Sequence, residues 1–190
     1  VVLPLLRQQK DGEECLSLSD FVKPCGTDYV GAFAVTAGRG IEEIISGYQQ
    51  TDDFKALLYQ SLSDRLAEAA TELLHARVRR DIWGYAPDER IDRQRALRAQ
   101  YRGIRPAAGY PSLPDQSAIF AIEKIVGFAN VGIAVTPNGA MSPASSVSGL
   151  MIAHPASRYF MIGAIAPDQR RDYAARRGIT EEELSKWLPK

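Results

Sequence analysis

The segment that decides the fold runs from Thr51 to Trp83 and reads TDDFKALLYQSLSDRLAEAATELLHARVRRDIW. It contains neither glycine nor proline, so it predicts one long helix, and Thr51 or Asp52 is suited to cap the first turn. Apolar residues recur in it at intervals of three, four or near multiples of these. This spacing predicts an apolar face made by Phe54, Leu58, Leu62, Leu66, Leu73, Val78 and Ile82.

Shorter elements are predicted on both sides of this helix. Further helices are predicted over residues 41–48, 88–100, 115–126, 167–178 and from Thr180, which forms a capping box with Glu183. Strands are predicted over residues 29–36, 131–136, 146–153 and 159–165, and the last two form a hairpin. This order indicates the α+β class, with a twisted, mostly antiparallel sheet and long helices packed on it. We expect one domain over residues 1–190.

The composition argues against several classes of function. Of the 190 residues, 45% are hydrophobic and 24% are charged, and 23 Lys and Arg balance 23 Asp and Glu. A net charge of zero predicts no nucleic-acid partner, and no apolar run approaches the roughly 20 residues that span a membrane. Two cysteines and two histidines show no zinc-ligand spacing, and free thiols favour a cytoplasmic protein. The apolar start, without Met, indicates a piece of a longer polypeptide.

Other motifs give weak indications of chemistry. Glu72 and His75 have the Glu-x-x-His spacing of di-iron bundles, but a single copy favours an exposed helix face. Asp64, Glu68 and Glu72 lie four residues apart. An exposed charged face is the simpler interpretation, and an acidic wall against a cationic ligand or a partner protein is the alternative. Residues 37–40 lack the G-x-G-x-x-G spacing, and there is no G-x-S-x-G elbow for a nucleophile.

The segment RPAAGYP, residues 105–111, is better suited to binding a ligand. Pro106 and Pro111 hold the residues before them in extended conformations. The three small residues between them leave the backbone open to a ligand. Arg105 offers a planar fork to a carboxylate, and Tyr110 offers a flat face with a hydroxyl. The set suits a zwitterion that carries an aromatic ring, and a Pro-rich connecting loop is the alternative.

Motifs along nearly the whole chain accompany this segment. They are LRQQ (6–9), DYVGAFAVT (28–36), DRLAEA (64–69), WGY (83–85), GIRPAAGYP (103–111), PASSVSGL (143–150), DYA (172–174) and KWL (186–188). With these motifs, in this order, the chain closely resembles the C-terminal activation domain of cobalamin-dependent methionine synthase.

The resemblance implies a module that binds S-adenosylmethionine and presents its methyl group to cobalamin, which a neighbouring domain of the enzyme holds. Flavodoxin or a flavoprotein reductase would supply the electron that returns oxidised cobalamin to its methylated form. Asp64 and the loop Pro143-Ala144-Ser145 would face the corrin. The chemistry belongs to the cofactor, so no catalytic residue and no metal ligand is expected in this chain. The residues implied to bind S-adenosylmethionine are Arg105, Ala107, Gly109, Tyr110, Tyr159, Phe160 and Glu68.

Departures from the family leave alternatives open. The family's domain has a further N-terminal part that supplies an acidic ligand contact, so we expect residues 1–190 to form a partial domain. Gln116 stands where the family often has His, and Ala99 stands where an acidic residue is common. Each lost charged hydrogen bond would weaken ligand binding by about 1–3 kcal/mol. One alternative is a docking module that has lost the ligand. The other is a self-contained methyltransferase, for which the sequence offers no glycine-rich motif.

Overall fold

The computed structural model describes residues 1–189 and contains two small sheets. Strand β1, Gly31–Thr36, pairs with strand β4, Ser146–Met151. Strand β2, Ala134–Val135, pairs antiparallel with strand β3, Met141–Ser142. Together with the α-helices described below, these sheets confirm the predicted α+β class.

The chain divides into two compact units, and the divisions fall within β1 and β4. The first unit comprises Val1–Ala32, Arg102–Ile125 and the chain from Gly149 onward. The second unit comprises Phe33–Tyr101 and Val126–Ser148.

The first unit is built around three helices: α4, Ala118–Val126; α5, Pro167–Arg177; and α6, Glu181–Leu184. Helix α5 ends at Gly178, whose φ of +68° lies in the left-handed region that favours glycine. The side chain of Thr180 accepts a hydrogen bond from the Glu183 N–H at 3.1 Å, which confirms the predicted cap of α6. The apolar side chains of this unit bury a core of Leu6, Ile162, Tyr173, Ala174, Leu184 and Leu188.

A buried carboxylate fixes the chain just before α4. Asp115 accepts hydrogen bonds from the Ser117 N–H at 2.9 Å and from the Tyr173 hydroxyl at 2.8 Å. It also forms an ion pair with Arg177. Burial is the main reason that the pKa of Tyr173 is raised, and the negative charge of Asp115 raises it further. Tyr173 is therefore held in its neutral, hydrogen-bond-donating form.

The second unit contains α1, Ile41–Gln49; α2, Asp53–Arg77; and α3, Arg93–Leu97. The side chain of Asp52 accepts a hydrogen bond from the Lys55 N–H at 3.0 Å, so Asp52 is the cap of α2. A π-helical turn, Val78–Ile82, continues α2. Helix α3 is shorter than predicted because the chain leaves the right-handed helical region at Ala99, where φ is +50°.

The apolar face predicted for α2 is present, but it is exposed rather than buried. The buried positions are small or polar: Ala56, Ser63, Ala67, Thr71 and His75. Val78 is half-buried, and the other predicted positions, Phe54, Leu58, Leu62, Leu66, Leu73 and Ile82, are exposed. The small side chains on the buried side of α2 allow close packing. The Ser63 hydroxyl on this side donates a hydrogen bond to the Ala37 carbonyl at 3.0 Å. Burial of α2 therefore follows side-chain size and local hydrogen bonding rather than apolar periodicity.

The predicted hairpin is wrong, because no strand forms over residues 159–165 in the part of the chain that the structure describes. The chain after β4 pairs with a more distant partner. Ile104 and Ile152 exchange backbone hydrogen bonds at 3.0 and 2.9 Å. The Leu150 N–H donates to the Pro106 carbonyl at 2.9 Å. Residues 104–106 thus occupy the position that the second hairpin strand was expected to fill.

Three further predictions can be compared with the structure. The strand expected over residues 131–136 shortens to β2, because a 3-10 turn, Phe128–Val131, precedes it. Cys15 and Cys25 are both free thiols, as expected. No helix within residues 1–189 is both long enough and apolar enough to cross a membrane.

Candidate functional site

The signature segment, Arg105–Pro111, has a backbone that is fixed at both ends. Its first end lies beside β4, where the Pro106 carbonyl accepts the hydrogen bond from the Leu150 N–H. Its second end forms a tight turn, in which the Gly109 N–H donates to the Leu113 carbonyl at 2.9 Å. The Leu113 N–H donates to the Tyr110 carbonyl at 2.8 Å. A ligand would therefore meet a backbone that has little conformational freedom left to lose.

Arg105 is positioned through its main chain by an aromatic residue that is distant in sequence. The Arg105 N–H donates a hydrogen bond to the Tyr159 hydroxyl at 3.0 Å. This bond brings together two of the predicted ligand-binding residues within the first unit. It fixes the Cα position from which the Arg105 guanidinium extends.

Gly109 suits its position chiefly because of its backbone conformation. Its φ of +81° lies in the region that favours glycine. A Cβ at this position would also collide with the Oε1 atom of Gln116. The Gln116 side chain thus lies directly against the turn of the signature segment, so the departure from the family at this position is in the site itself.

Phe160 contributes to the site mainly through its backbone. The Ser112 hydroxyl donates to the Phe160 carbonyl at 2.5 Å, and Ser112 Oγ accepts from the Phe160 N–H at 3.1 Å. The Phe160 ring meets the Phe21 ring edge-on, with 6.3 Å between ring centroids, and packs against the core of the first unit. Its ring is therefore a support for the residues beside it.

The aromatic surface open to a ligand comes from two tyrosines. Tyr110 is 62% exposed and Tyr159 is 46% exposed. The N–H groups of Arg105, Gly109 and Tyr110 are already engaged within the protein. Only the carbonyls and side chains of these three residues remain available to a ligand. The sequence had suggested that their N–H groups would be available as well. A cation for a carboxylate and flat faces for a ring fit an aromatic zwitterion.

In the second unit, the predicted cobalamin-facing residues form a hydrogen-bonded group. The Ser145 hydroxyl donates to Asp64 Oδ1 at 2.6 Å, and the Gln60 amide donates to the same oxygen at 2.9 Å. Pro143 is buried against Gly38, where a Cβ would collide with the proline ring. The structure therefore brings Asp64 together with the loop of residues 143–145, whereas Ala144 stays exposed.

The predicted site residues fall into separate units. Arg105, Ala107, Gly109, Tyr110, Tyr159 and Phe160 belong to the first unit. Glu68 belongs to the second unit, where it is an exposed residue of α2, one turn after Asp64. Six of the seven predicted ligand-binding residues thus lie in the first unit, and Glu68 lies in the second.

A buried polar cluster in the second unit contradicts the expectation of an exposed face at Glu72 and His75. His75 is fully buried, its Nε2 atom lies 3.2 Å from the Tyr85 hydroxyl, and its ring meets Tyr101 edge-on. Arg79 lies over the Tyr101 ring and forms a buried ion pair with Glu89 at 2.5 Å. The cluster ties residues 85–101 to the end of α2. The pair at 72 and 75 was its only sign in the sequence.

Within residues 1–189, no three His, Cys, Asp or Glu side chains are grouped closely enough to hold a metal ion.

Two comparisons with known proteins give matches that cover most of the chain. The family model described as "Vitamin B12 dependent methionine synthase, activation domain" matches residues 1–178. A solved structure, the MetH reactivation domain bound to AdoHcy, is 40% identical in sequence and superimposes with a TM-score of 0.91. The match covers 96% of this chain and 58% of the solved chain. The chain therefore spans a little over half the length of that solved domain.

Proposed function

The chain belongs to the family of activation domains of vitamin B12-dependent methionine synthases, and on this premise we propose that it binds S-adenosylmethionine for the reductive remethylation of cobalamin. The observation that carries the proposal is the likeness to a reactivation domain bound to AdoHcy. AdoHcy is S-adenosylmethionine without its methyl group, so a pocket that holds one has the groups to hold the other.

The signature segment supplies the recognition groups in this proposal. The Arg105 guanidinium binds the carboxylate of the amino-acid part. The rings of Tyr110 and Tyr159 offer flat surfaces to the adenine, and both are substantially exposed. Gly109 lets the ligand approach the backbone closely, and Ala107 contributes a backbone contact. Glu68 belongs to the second unit, and its contact with the ligand stays a prediction of the family resemblance.

Cobalamin enters the proposal through a neighbouring domain. From the family resemblance, we assign Asp64 and the loop of residues 143–145 to the corrin side, and the Ser145–Asp64 bond holds them together. The sulfonium of S-adenosylmethionine would be the methyl donor and would leave as AdoHcy, and cobalamin held by the neighbouring domain would be the acceptor once one electron has reduced it. Flavodoxin or a flavoprotein reductase supplies that electron. This chain contributes binding, orientation and exclusion of water.

The proposed enzyme is a longer polypeptide than this chain. Because the match covers 58% of the solved reactivation domain, we propose that residues 1–190 are one part of such a domain in a cytoplasmic methionine synthase, a methyltransferase. Methyl transfer to homocysteine then belongs to other domains of the enzyme.

Calorimetric titration of the folded chain tests the proposal. S-Adenosylmethionine and AdoHcy should each bind to one saturable site, and a mixture of adenosine and methionine should bind far more weakly, because separate pieces lose the advantage of linkage. Circular dichroism confirms that the chain is folded. A folded chain that gives no heat and no thermal shift with millimolar ligand contradicts the proposal and favours the docking module.

A further inference from the structure

Residues 90–98, which we call the arginine arm, form an exposed basic segment of the second unit. The arm includes helix α3, in which no residue is buried. Its single acidic residue is Asp92, whose carboxylate accepts a hydrogen bond from the Arg95 N–H at 2.9 Å and so caps α3. Against this one negative charge the arm carries four exposed arginines: Arg90, Arg93, Arg95 and Arg98. The arm therefore has a charge of +3 in a chain whose net charge is zero.

Both ends of the arm are fixed by the buried polar cluster at the end of α2. Before the arm, Glu89 forms its ion pair with Arg79. After the arm, the Tyr101 ring lies under the Arg79 guanidinium, 4.1 Å from ring centroid to Cζ, and meets the His75 ring edge-on. A segment that is anchored at both ends loses less conformational entropy on binding than a free loop. The cluster therefore presents the arm on a fixed base.

The positive charges of the arm are not used within the part of the chain that the structure describes. Among residues 1–189, the four guanidinium groups of the arm form no ion pair and no hydrogen bond. Exposed arginines elsewhere do find acidic partners, as Arg158 does with Glu14 and Arg176 with Asp172. Leu97, which is 77% exposed, lies among these charges. The arm thus combines unpaired arginines with an apolar side chain, and both are open to a partner.

The composition of the arm distinguishes between classes of anionic partner. Nucleic acids and anionic membranes attract proteins through extended sets of basic groups. The arm supplies four such groups, and the chain as a whole has no net charge. A five-residue helix with one leucine also has no apolar face with which to enter a membrane. An acidic protein surface fits the arm better, since the arginine fork pairs with carboxylates and Leu97 gains an apolar contact.

We propose that the arginine arm is a docking site for a separate protein that presents carboxylates around a small apolar patch. A small, charged contact of this kind suits a transient complex that is steered by charge. The proposal goes beyond the proposed function, because it needs neither S-adenosylmethionine nor cobalamin. A chain that fails to bind S-adenosylmethionine can still have this docking site, and the reverse also holds.

Binding of a defined acidic peptide tests the proposal. The probe is a fluorescein-labelled peptide of about 20 residues, all glutamate except for a leucine at every fifth position, and fluorescence anisotropy follows its binding to the folded chain at low salt. Removal of three charges from the arm should weaken this binding at least tenfold, because the lost groups supply both steering and direct contacts. The variant carries Arg93→Gln, Arg95→Gln and Arg98→Gln.

A matched control removes the same charge elsewhere on the second unit. It replaces three exposed residues of that unit and carries Arg39→Gln, Arg65→Gln and Arg80→Gln. The control should bind the peptide as the unchanged chain does. A further variant, Leu97→Ser, should weaken binding of the leucine-containing peptide and leave binding of an all-glutamate peptide unchanged. Circular dichroism confirms that each variant is folded.

Three outcomes overturn the proposal. Equal weakening in the two triple variants does so, because net charge alone then explains binding. Tighter binding of a single-stranded oligonucleotide or of phosphatidylserine vesicles, lost in the arm variant, does so because the arm then recognises phosphates. Absence of peptide binding to the folded, unchanged chain at low salt also overturns it. None of these outcomes bears on the binding of S-adenosylmethionine, which is measured separately.

Discussion

The signature segment and the loop of residues 143–145 are both short, contain proline and are fixed by hydrogen bonds, but they differ in what they expose. In the signature segment the backbone is fixed, and Tyr110 and its supporting residue Tyr159 keep exposed rings. In the loop, Pro143 and Ser145 are buried, and the Ser145 hydroxyl is already bonded to Asp64. The first arrangement presents side chains to a ligand. The second uses its side chains to hold the loop itself.

This difference predicts how each region responds to substitution. Changes to exposed groups of the signature segment should lower ligand affinity more than they lower the free energy of unfolding. Changes to the loop should lower the free energy of unfolding and leave ligand affinity nearly unchanged.

The largest loss of stability is expected at Tyr173, which anchors the chain that follows the signature segment. Tyr173→Phe removes the hydroxyl that donates to the buried Asp115 carboxylate, which should lower the free energy of unfolding by about 1.5–3 kcal/mol at neutral pH. Tyr29→Phe is the control, because Tyr29 is exposed. Denaturant unfolding measures both. An equal effect of the two substitutions contradicts this role for Asp115.

The same variant has a distinct pH dependence. The pKa of Tyr173 is raised in the folded protein, whereas the unfolded tyrosine ionises near pH 10. Stability from the neutral hydroxyl is therefore fully present below about pH 10 and is lost as pH rises further. The difference in stability between the protein and Tyr173→Phe should narrow above about pH 10. A constant difference up to about pH 11 contradicts the raised pKa.

A smaller loss is expected in the loop. Ser145→Ala removes a buried hydroxyl that donates to Asp64, so it should cost about 1–2 kcal/mol of unfolding free energy and leave the affinity for AdoHcy unchanged. Ala144→Ser changes the exposed neighbour and should have no effect on either quantity. A drop in AdoHcy affinity with no loss of stability would mean that Ser145 acts on the ligand and does not serve to hold the loop.

Substitution in the turn of the signature segment should lower the free energy of unfolding by about 1 kcal/mol and should also weaken the binding of AdoHcy. Gly109→Ala introduces strain at positive φ and pushes against Gln116. Gly12→Ala introduces the same kind of strain where there is nothing within 4 Å, so it isolates the backbone cost. Unfolding and titration of both variants separate the two effects. Equal AdoHcy affinity in the two variants contradicts a role for the turn in binding.

The smallest effect is expected from Tyr159→Phe. This change removes the acceptor of the Arg105 N–H but keeps the ring, so AdoHcy should bind several-fold more weakly, which corresponds to about 1 kcal/mol. Titration calorimetry measures the change. An affinity equal to that of the unchanged protein would show that the Tyr159 hydroxyl does not position Arg105.

The sequence predicted elements that depend on local signals. Helix α2 and the cap at Thr180 formed as expected, because capping and the absence of glycine act over a few residues. The sequence indicated the apolar face of α2 but not its exposure, because apolar spacing alone does not say which side a neighbour covers. The predicted hairpin did not form, because Ile152, just after β4, pairs with Ile104, which lies 48 residues earlier in the chain.

The candidate site was predictable mainly through the family resemblance. The resemblance indicated Arg105, Tyr110 and Tyr159 as a set, and the structure adds how they are held. The bond from Arg105 to Tyr159 joins residues 54 apart, and the bond from Ser145 to Asp64 joins residues 81 apart. Bonds over such separations depend on the tertiary fold. No local pattern in the sequence encodes them.

The most direct test of the account is a titration of AdoHcy into Arg105→Ala and Arg158→Ala. Arg158 is an exposed arginine of the same unit, paired with Glu14 on the surface, so its loss controls for removal of a positive charge. Arg105→Ala should bind AdoHcy at least tenfold more weakly, with a melting temperature close to that of the unchanged protein. Arg158→Ala should bind normally. Equal affinity in the two variants, or a large fall in the melting temperature of Arg105→Ala, would contradict the account and make Arg105 a structural residue.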